Sequence, residues 1–344
     1  MRNVLALLIF AAVAAVAPQR TAEAADGVGV STLAVPVPER GGTMDATLWY
    51  PAGPGGQSVL VGENAFFRGV SASQDAPAIG GSRPLVLLSQ GGLRSGPNIG
   101  AWMASRLAMR GFVVAMLRQP DPHSQSPQQT LDEIWLRPAD ISATLTAIEN
   151  DATLTGRIDA NRVGVLGFQI GGTAALAIAG ARLDPASFAH SCDPGGTEVD
   201  CAWFAKAGVD LRAVDAVRLG RSNLDRRIKA VVVIDPELST NFTAVSLSDI
   251  SLPVRVVNLG SPKAIWPGLN ASALVQALSN AQYETVADAT QFSAFPECKP
   301  QAAAILRAEG EEPLCDDAGG QSRAEIHDRL AAMAVAAFRV NLSR

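Results

Sequence analysis

The chain has 344 residues, of which 48% are hydrophobic and 18% are charged, and its formal net charge is −5. This balance excludes a disordered or collagen-like chain and provides no basic surface for a nucleic acid partner. The sequence contains only three histidines, His123, His190 and His327. Because most acyl-transfer triads and common zinc sites use histidine, any such site must draw on these three. We expect no metal and no cofactor.

The first 24 residues have the pattern of a secretory signal peptide. Arg2 precedes an apolar run over residues 4–16, and Ala22-Glu23-Ala24 fits a small-x-small cleavage site. A transmembrane anchor is the alternative, but the apolar run ends at Pro18 and is shorter than the roughly 20 residues that a bilayer requires. The sequence therefore predicts a cleaved leader, a periplasmic or secreted location and no membrane span.

Four cysteines in an exported chain predict two disulfides. Their positions favour local pairs, Cys192 with Cys201 and Cys298 with Cys315, although four cysteines allow three pairings. Neither pair has the C-x-x-C spacing of a zinc or redox motif, so those interpretations are weaker.

The predicted elements begin with an antiparallel hairpin, in which strands over 27–37 and 44–50 flank a Gly41-Gly42 turn. Strands and helices then alternate, with a polar loop over 118–129. The further expected strands are 84–89, 112–117, 163–167, 228–234 and 254–257, and the expected helices are 98–109, 138–150, 171–181, 271–278 and 322–342.

Continuous apolar strands bounded by helices predict an α/β fold, with a mostly parallel central sheet covered by helices on both faces. We expect one domain over residues 25–344. The alternation lapses between Arg182 and Arg227, which indicates a small cap insertion over about 182–227.

The most informative local motif runs from Val163 to Gly172, where an apolar strand meets a glycine-flanked turn that opens a helix. This is the context of the nucleophile elbow, G-x-S-x-G, in which glycines let one side chain project from a strained turn. The glycine spacing is intact, but Gln169 stands at the central position. A carboxamide has no hydroxyl or thiol to deprotonate, and loss of such a nucleophile costs on the order of 10⁶ in kcat.

The chain resembles the predicted dienelactone hydrolase group of α/β-hydrolases, which is related in pattern to platelet-activating-factor acetylhydrolases. The resemblance extends over nearly all of residues 25–344. It rests on motifs in the family's order, including Trp49-Tyr50-Pro51, the strand that ends at Ser89-Gln90-Gly91-Gly92, Asn161-Arg162-Val163-Gly164, the elbow, and Asp235-Pro236. The resemblance implies the α/β-hydrolase fold and a carboxylic-ester hydrolase ancestry.

The same resemblance implies that the catalytic triad is degenerate. The family's nucleophilic serine falls on Gln169, its general-base histidine on Gln291, and its loop histidine on Gln90. The triad acid falls on Asp235 if it follows the earlier of two strands, in which case it is retained. It falls on Pro262, and is lost, if it follows the later strand.

The backbone donors of the family's oxyanion hole do not depend on the replaced side chains. They would be the N–H of Ile170 and an N–H from the turn formed by Gly91, Gly92 and Leu93. His123 lies in a loop at the carboxyl edge of the predicted sheet, where it could line the same cleft.

Three functional hypotheses remain open. The first is an exported, inactive α/β-hydrolase homologue that binds a small ester or carboxylate, or a partner, in the former cleft. The second is an active carboxylic-ester hydrolase that uses non-standard residues, for example Ser89 with His123. The third is a structural or protein-interaction module.

Overall fold

A computed structural model of the protein describes residues 27–343. The predicted signal peptide, residues 1–24, lies outside the described residues. Among residues 27–343, no helix is long and apolar enough to cross a membrane.

A single ten-stranded sheet forms the centre of the molecule, in the order β10-β9-β8-β7-β5-β6-β2-β1-β4-β3. The six strands from β10 to β6 in this order are parallel, and β2 joins them in the antiparallel direction. The strands are β1 (Gly27–Val37), β2 (Gly42–Ala52), β3 (Gln57–Val61), β4 (Val70–Gln74), β5 (Arg83–Ser89), β6 (Val113–Leu117), β7 (Ile158–Phe168), β8 (Ile228–Ile234), β9 (Val254–Leu259) and β10 (Ala281–Val286).

The predicted hairpin and the five predicted inner strands are confirmed. Strands β1 and β2 pair antiparallel over their whole length, although the chain reverses at a short 3-10 turn, Pro38–Arg40, closed by Gly41. The sequence did not predict β3, β4 and β10. These strands lie at or near the two edges of the sheet, where half-exposed polar residues remove the apolar run that marks a central strand.

Ten helices of the described region, residues 27–343, accompany the sheet, and the longer ones cover its two faces. The helices are α1 (Ala101–Met109), α2 (Pro127–Asn150), α3 (Ile170–Ile178), α4 (Pro185–Ala189), α5 (Cys201–Ala207), α6 (Ala216–Leu219), α7 (Ala244–Ser248), α8 (Ser272–Ala277), α9 (Ala302–Glu309) and α10 (Arg323–Asn341). Side chains of α2 and α3 form the core on one face, and those of α1 and α10 form the core on the other. The prediction of helices on both faces is therefore confirmed.

Helix α2 corrects the prediction that a loop over 118–129 leads to a helix beginning at Pro138. The helix begins at Pro127, where Ser126 and Gln129 form a capping box, and Pro138 lies inside it. Proline is common in the first helical turn, so the sequence assigned that role to Pro138 instead of Pro127. The buried apolar side chains of Ile134 and Trp135 hold the turn before Pro138 in place despite its missing N–H.

The segment from 182 to 227 contains α4, α5 and α6 between β7 and β8. Cys192 and Cys201 form a disulfide within it, and Cys298 and Cys315 form a second disulfide near α9. Both predicted pairings are confirmed.

Candidate functional site

The turn between β7 and α3 has the geometry of a nucleophile elbow. Gln169 has φ 52° and ψ −123°, a conformation that side-chain-bearing residues rarely adopt. A Cβ at Gly167 would lie 2.0 Å from the carbonyl oxygen of Gly171, and one at Gly171 would lie 2.2 Å from that of Ser89. Glycine is therefore required on both sides of Gln169, as the motif predicts.

The side chain of Gln169 folds back onto the loop that follows β5. Its Oε1 accepts a hydrogen bond from the N–H of Gly92 at 2.7 Å, and Ser95 Oγ lies 3.0 Å from the same nitrogen. Only 8% of Gln169 is exposed. The carboxamide oxygen thus contacts the loop donor that the sequence assigned to an oxyanion hole.

The second expected donor, the N–H of Ile170, has no acceptor within residues 27–343. It stands at the first position of α3, where a helix leaves its N–H groups unpaired and its dipole favours negative charge. Leu93, the last residue of the expected donor turn, is buried in the core beneath α2 and α3.

Arg137, from the middle of α2, fixes the same loop. Its guanidinium donates to the carbonyl oxygens of Gln90 at 3.1 Å, Gly91 at 2.6 Å and Gly92 at 3.1 Å. The side chain is fully buried, and this burial lowers the pKa of Arg137. The sequence did not identify this positioning role, because an arginine within a long helix carries no local signal of a contact with a loop 45 residues earlier.

Gln90, at the family's loop-histidine position, also orders its own loop. Its Oε1 accepts a hydrogen bond from the N–H of Gly100 at 2.7 Å, while its Nε2 is buried without a partner. The side chain therefore supports the backbone that leads into α1.

Asp235 retains a buried carboxyl group at the end of β8. One oxygen accepts hydrogen bonds from Asn258 Nδ2 at 2.7 Å and from the N–H of Leu259 at 2.8 Å, whereas the other has no partner. Burial raises the pKa of Asp235 to about 7. The other candidate acid position, Pro262, is an exposed residue after β9 and has no ionisable side chain.

Gln291, the predicted general-base position, begins a 3-10 turn after β10, and its Oε1 is buried without a partner among the described residues. Within the described residues, no hydrogen bond joins the side chains of Gln169, Asp235 and Gln291. The replaced residues therefore do not form a substitute hydrogen-bonded triad.

The three histidines lie in different places. His123 is exposed on a short turn, and His190 is an exposed partner of Asp193 at 2.8 Å. His327 is buried against Trp102, and its Nε2 lies 3.0 Å from the carbonyl oxygens of Ser293 and of Phe295. Burial lowers the pKa of His327 to about 3, so it packs as a neutral ring.

The proposed alternative pair of Ser89 and His123 is not hydrogen-bonded. Ser89 is 3% exposed, and its Oγ has no partner in the described part of the chain. A nucleophile requires a base within hydrogen-bond distance, and the exposed imidazole of His123 does not supply it in this conformation.

An acidic cluster beside the elbow was missed by the sequence reasoning. It consists of Glu198, Asp200 and Glu237. A Cβ at Gly92 would lie 2.8 Å from Glu237 Oε1 and 3.3 Å from Gln169 Oε1, so both oxygens approach the same face of Gly92. The position of Glu237, two residues beyond Asp235 at the carboxyl edge of the sheet, is the sequence signal that could have identified it.

The three carboxyl groups are bound differently. Asp200 pairs with Arg94 at 2.7 Å, and Glu198 accepts a hydrogen bond from Asn241 at 2.9 Å. Glu237 is only 4% exposed, and its carboxylate has no hydrogen-bond partner in the described region. Burial, together with repulsion by Asp200 and Glu198, raises the pKa of Glu237 well above its ordinary value. Burial also raises the pKa of Glu198 to about 7.

No group of three acidic, histidine or cysteine side chains among the described residues is arranged to hold a metal ion.

No family profile and no curated protein matches the chain. Solved structures do resemble it. A ferulic acid esterase from Streptomyces cinnamoneus has 18% sequence identity, covers 94% of this chain and 92% of its own, and has a TM-score of 0.61. A dienelactone hydrolase from Anabaena variabilis has 13% identity, covers 91% of this chain and 97% of its own, and has a TM-score of 0.49.

The likeness to the esterase spans nearly the whole of both chains. It agrees with the mostly parallel sheet, with the helices on both faces, and with the strained turn between β7 and α3. The chain has the α/β-hydrolase fold.

Proposed function

We propose that the protein is an exported α/β-hydrolase homologue that binds a small ester in the former active-site cleft without hydrolysing it. The observation that carries this proposal is the hydrogen bond between Gln169 Oε1 and the N–H of Gly92. The residue that stands in place of the nucleophile contacts the donor that would stabilise an oxyanion.

The chemistry of this arrangement opposes acyl transfer at two points. Gln169 has no group that can attack a carbonyl carbon. Its own amide carbonyl is bound where a substrate carbonyl would accept a hydrogen bond, so a ligand must displace it. Such an exchange replaces one hydrogen bond by another and changes the free energy by about 1 kcal/mol or less, which leaves binding feasible.

The charges around the cleft favour a neutral ester over a carboxylate. Glu198, Asp200 and Glu237 present three carboxyl groups, whereas Arg94 is paired with Asp200 and Arg137 is used by loop carbonyls. Burial already disfavours the ionised forms of Glu198 and Glu237, so an anionic ligand would bring a charge into a site that disfavours charge. The fold likeness to a ferulic acid esterase supports the same ligand class.

Two observations support an exported location. The signal-peptide pattern of residues 1–24 directs a chain to the secretory route. The two disulfides suit an oxidising compartment.

Labelling with a serine-directed fluorophosphonate and hydrolysis of p-nitrophenyl acetate test the loss of catalysis. We expect no specific labelling and no turnover by the pure protein. Stoichiometric labelling, located by mass spectrometry at Ser89 or Ser95, would show an active hydrolase with a non-standard nucleophile and overturn the proposal.

Thermal unfolding with ethyl butyrate and with butyrate tests ligand binding. We expect saturable stabilisation by the ester and a weaker effect of the acid. The matched variant Gln169→Ala removes one of the two acceptors of the N–H of Gly92 and leaves Ser95 Oγ, so its affinity for the ester should rise by at most about tenfold. Absence of stabilisation in both proteins would refute ester binding.

The double variant Gln169→Ser with Gln291→His tests the assignment of the two former catalytic positions. If the assignment is right, the double variant should hydrolyse p-nitrophenyl acetate faster than either single variant, because the serine gains a base. A folded double variant that is no faster than the single variants would show either that Gln291 is not the general-base position or that the triad acid was lost at Pro262.

A further inference from the structure

A cavity lies at the edge of the sheet opposite to the elbow. Its volume is about 500 Å³, within the range of small-molecule pockets, and residues at the beginnings of β5, β6 and β7 line it. Strand β5 runs from Arg83, at this cavity, to Ser89, beside the elbow. Six residue steps along a strand separate the two sites by about 20 Å.

Apolar side chains form one part of the wall of this cavity, and polar groups form the rest. Leu33 and Leu48 from the hairpin, Val113 from β6, and Leu154 and Ile158 from the connection between α2 and β7 contribute to its lining. These side chains continue the core that packs beneath α2 and α3. An alkyl or aryl group in this space would be removed from water without a new polar contact.

Arg83 and Arg157 both contribute to the lining of the cavity. The N–H of Arg83 donates to the carbonyl oxygen of Arg157 at 3.0 Å, which brings the two residues together. Neither guanidinium has an acidic partner within 4.0 Å in residues 27–343, and Arg83 Nε is buried without a hydrogen-bond acceptor. A guanidinium that has no acidic partner can pair with the carboxylate of a ligand.

The cavity also contains two acidic residues that affect its preference. The carboxylate of Asp151 is bound locally by the backbone and hydroxyl groups of Thr153 at 2.8 and 2.7 Å. Asp75 lies on an exposed turn after β4, in a left-handed conformation with φ 55°. Its negative charge repels an anionic ligand. A substitution that removes this charge should therefore strengthen the binding of an anion.

We infer that this cavity is a binding site for a small monocarboxylate with an apolar body, whose carboxylate group pairs with Arg83 and Arg157. The apolar wall takes the hydrocarbon part, and the guanidinium pair supplies the planar donors that suit a carboxylate. This site is independent of the elbow and of the ester proposed to bind there.

Isothermal titration calorimetry with octanoate, and with 1-octanol as its neutral analogue, tests the inference. We expect saturable binding of octanoate and about tenfold weaker binding of the alcohol. Arg157 is exposed, so Arg157→Gln should fold normally and bind octanoate about tenfold more weakly. Arg83→Gln should show a similar loss.

Two further variants separate this cavity from other sites. Asp75→Asn removes a negative charge at a turn that asparagine tolerates, so octanoate should bind about threefold more tightly. Arg226→Gln changes an exposed arginine in a different cavity and should have no effect. Saturating ethyl butyrate should not compete with octanoate.

The inference is overturned if octanoate fails to bind, or if 1-octanol binds equally well. It is also overturned if Arg226→Gln weakens binding while Arg83→Gln and Arg157→Gln do not, or if ethyl butyrate displaces octanoate. Because the arginine variants report on octanoate alone, failure of ester binding at the elbow leaves this test intact.

Discussion

Gln169 keeps the strained backbone of a nucleophile elbow without carrying a nucleophile. The surrounding structure enforces this conformation, because the backbone packs tightly at Gly167 and Gly171 on either side. The hydrogen bond from Gly92 offsets part of the strain. Strain of this kind costs about 1–3 kcal/mol.

The variants Gln169→Gly and Gln169→Ala separate strain from hydrogen bonding. Both lose the contact with Gly92, but only glycine adopts φ 52° without steric cost. We expect the glycine variant to be more stable than the alanine variant by about 1 kcal/mol in urea unfolding. At the exposed helical control Ala332, replacement by glycine should instead destabilise by up to about 1 kcal/mol. Equal stability of the two Gln169 variants would show that the backbone at position 169 is not strained.

Asp235 makes stability depend on pH. The folded-state pKa of about 7 exceeds the ordinary value of 3.8, so the folded protein retains a proton that the unfolded chain releases. The contribution of Asp235 to the free energy of unfolding is complete below about pH 4. It decreases by roughly 4 kcal/mol as the pH rises to about 7. Urea unfolding from pH 4 to 7 should therefore show a smaller decline for Asp235→Asn than for the unsubstituted protein. The exposed control Asp249→Asn should keep the full decline.

At the scale of elements, α2 is the support of the candidate site. It places Arg137 under the loop after β5, and it also holds Arg40 from the hairpin through Glu133 at 2.7 Å and Asp140 at 2.6 Å. The helix therefore connects the antiparallel end of the sheet to the loop that donates to Gln169.

Arg137→Met should weaken both stability and loop order. The three carbonyl oxygens of residues 90–92 lose their buried donor, so we expect a loss of about 3 kcal/mol. Hydrogen exchange at residues 91–95 should accelerate at the same time. Arg137→Lys keeps a positive charge but lacks the planar guanidinium group. Its stability and its exchange rates should therefore lie between those of the unsubstituted protein and those of Arg137→Met. Unchanged exchange in the methionine variant would contradict the supporting role.

At the scale of the whole molecule, Arg94 connects the loop after β5 to both disulfide-bonded segments. It pairs with Asp200, next to Cys201, at 2.7 Å and with Glu312, before Cys315, at 3.3 Å. Asp200 is buried and Glu312 is exposed, so the contact with the segment over 182–227 is the stronger of the two.

Removal of each disulfide should show which of the two ion pairs of Arg94 orders the loop after β5. Cys192→Ser with Cys201→Ser, and Cys298→Ser with Cys315→Ser, should each lose about 3 kcal/mol of stability in urea, because each disulfide limits the conformational entropy of the unfolded chain by closing a loop. Only the first double variant should accelerate hydrogen exchange at residues 91–95. Equal acceleration in both would show that Arg94 does not transmit the effect through Asp200.

The sequence alone determined the features that depend on residues close together along the chain. Apolar runs between helices predicted the parallel strands, and the spacing of Gly167 and Gly171 predicted the tight turn between β7 and α3. Both disulfide pairings followed from proximity along the chain. Edge strands and the start of α2 were missed because their local patterns are ambiguous between competing positions.

Only the tertiary structure decided which protein groups contact one another at the candidate sites. The contact of Gln169 with Gly92 joins residues 77 positions apart, and the contact of Arg137 with Gly92 joins residues 45 positions apart. The acidic cluster at Glu237 and the arginine pair at Arg83 likewise depend on which side chains the folded sheet brings together. Periodicity reports which face of an element is buried, whereas the partner of each polar group is set by packing between distant elements.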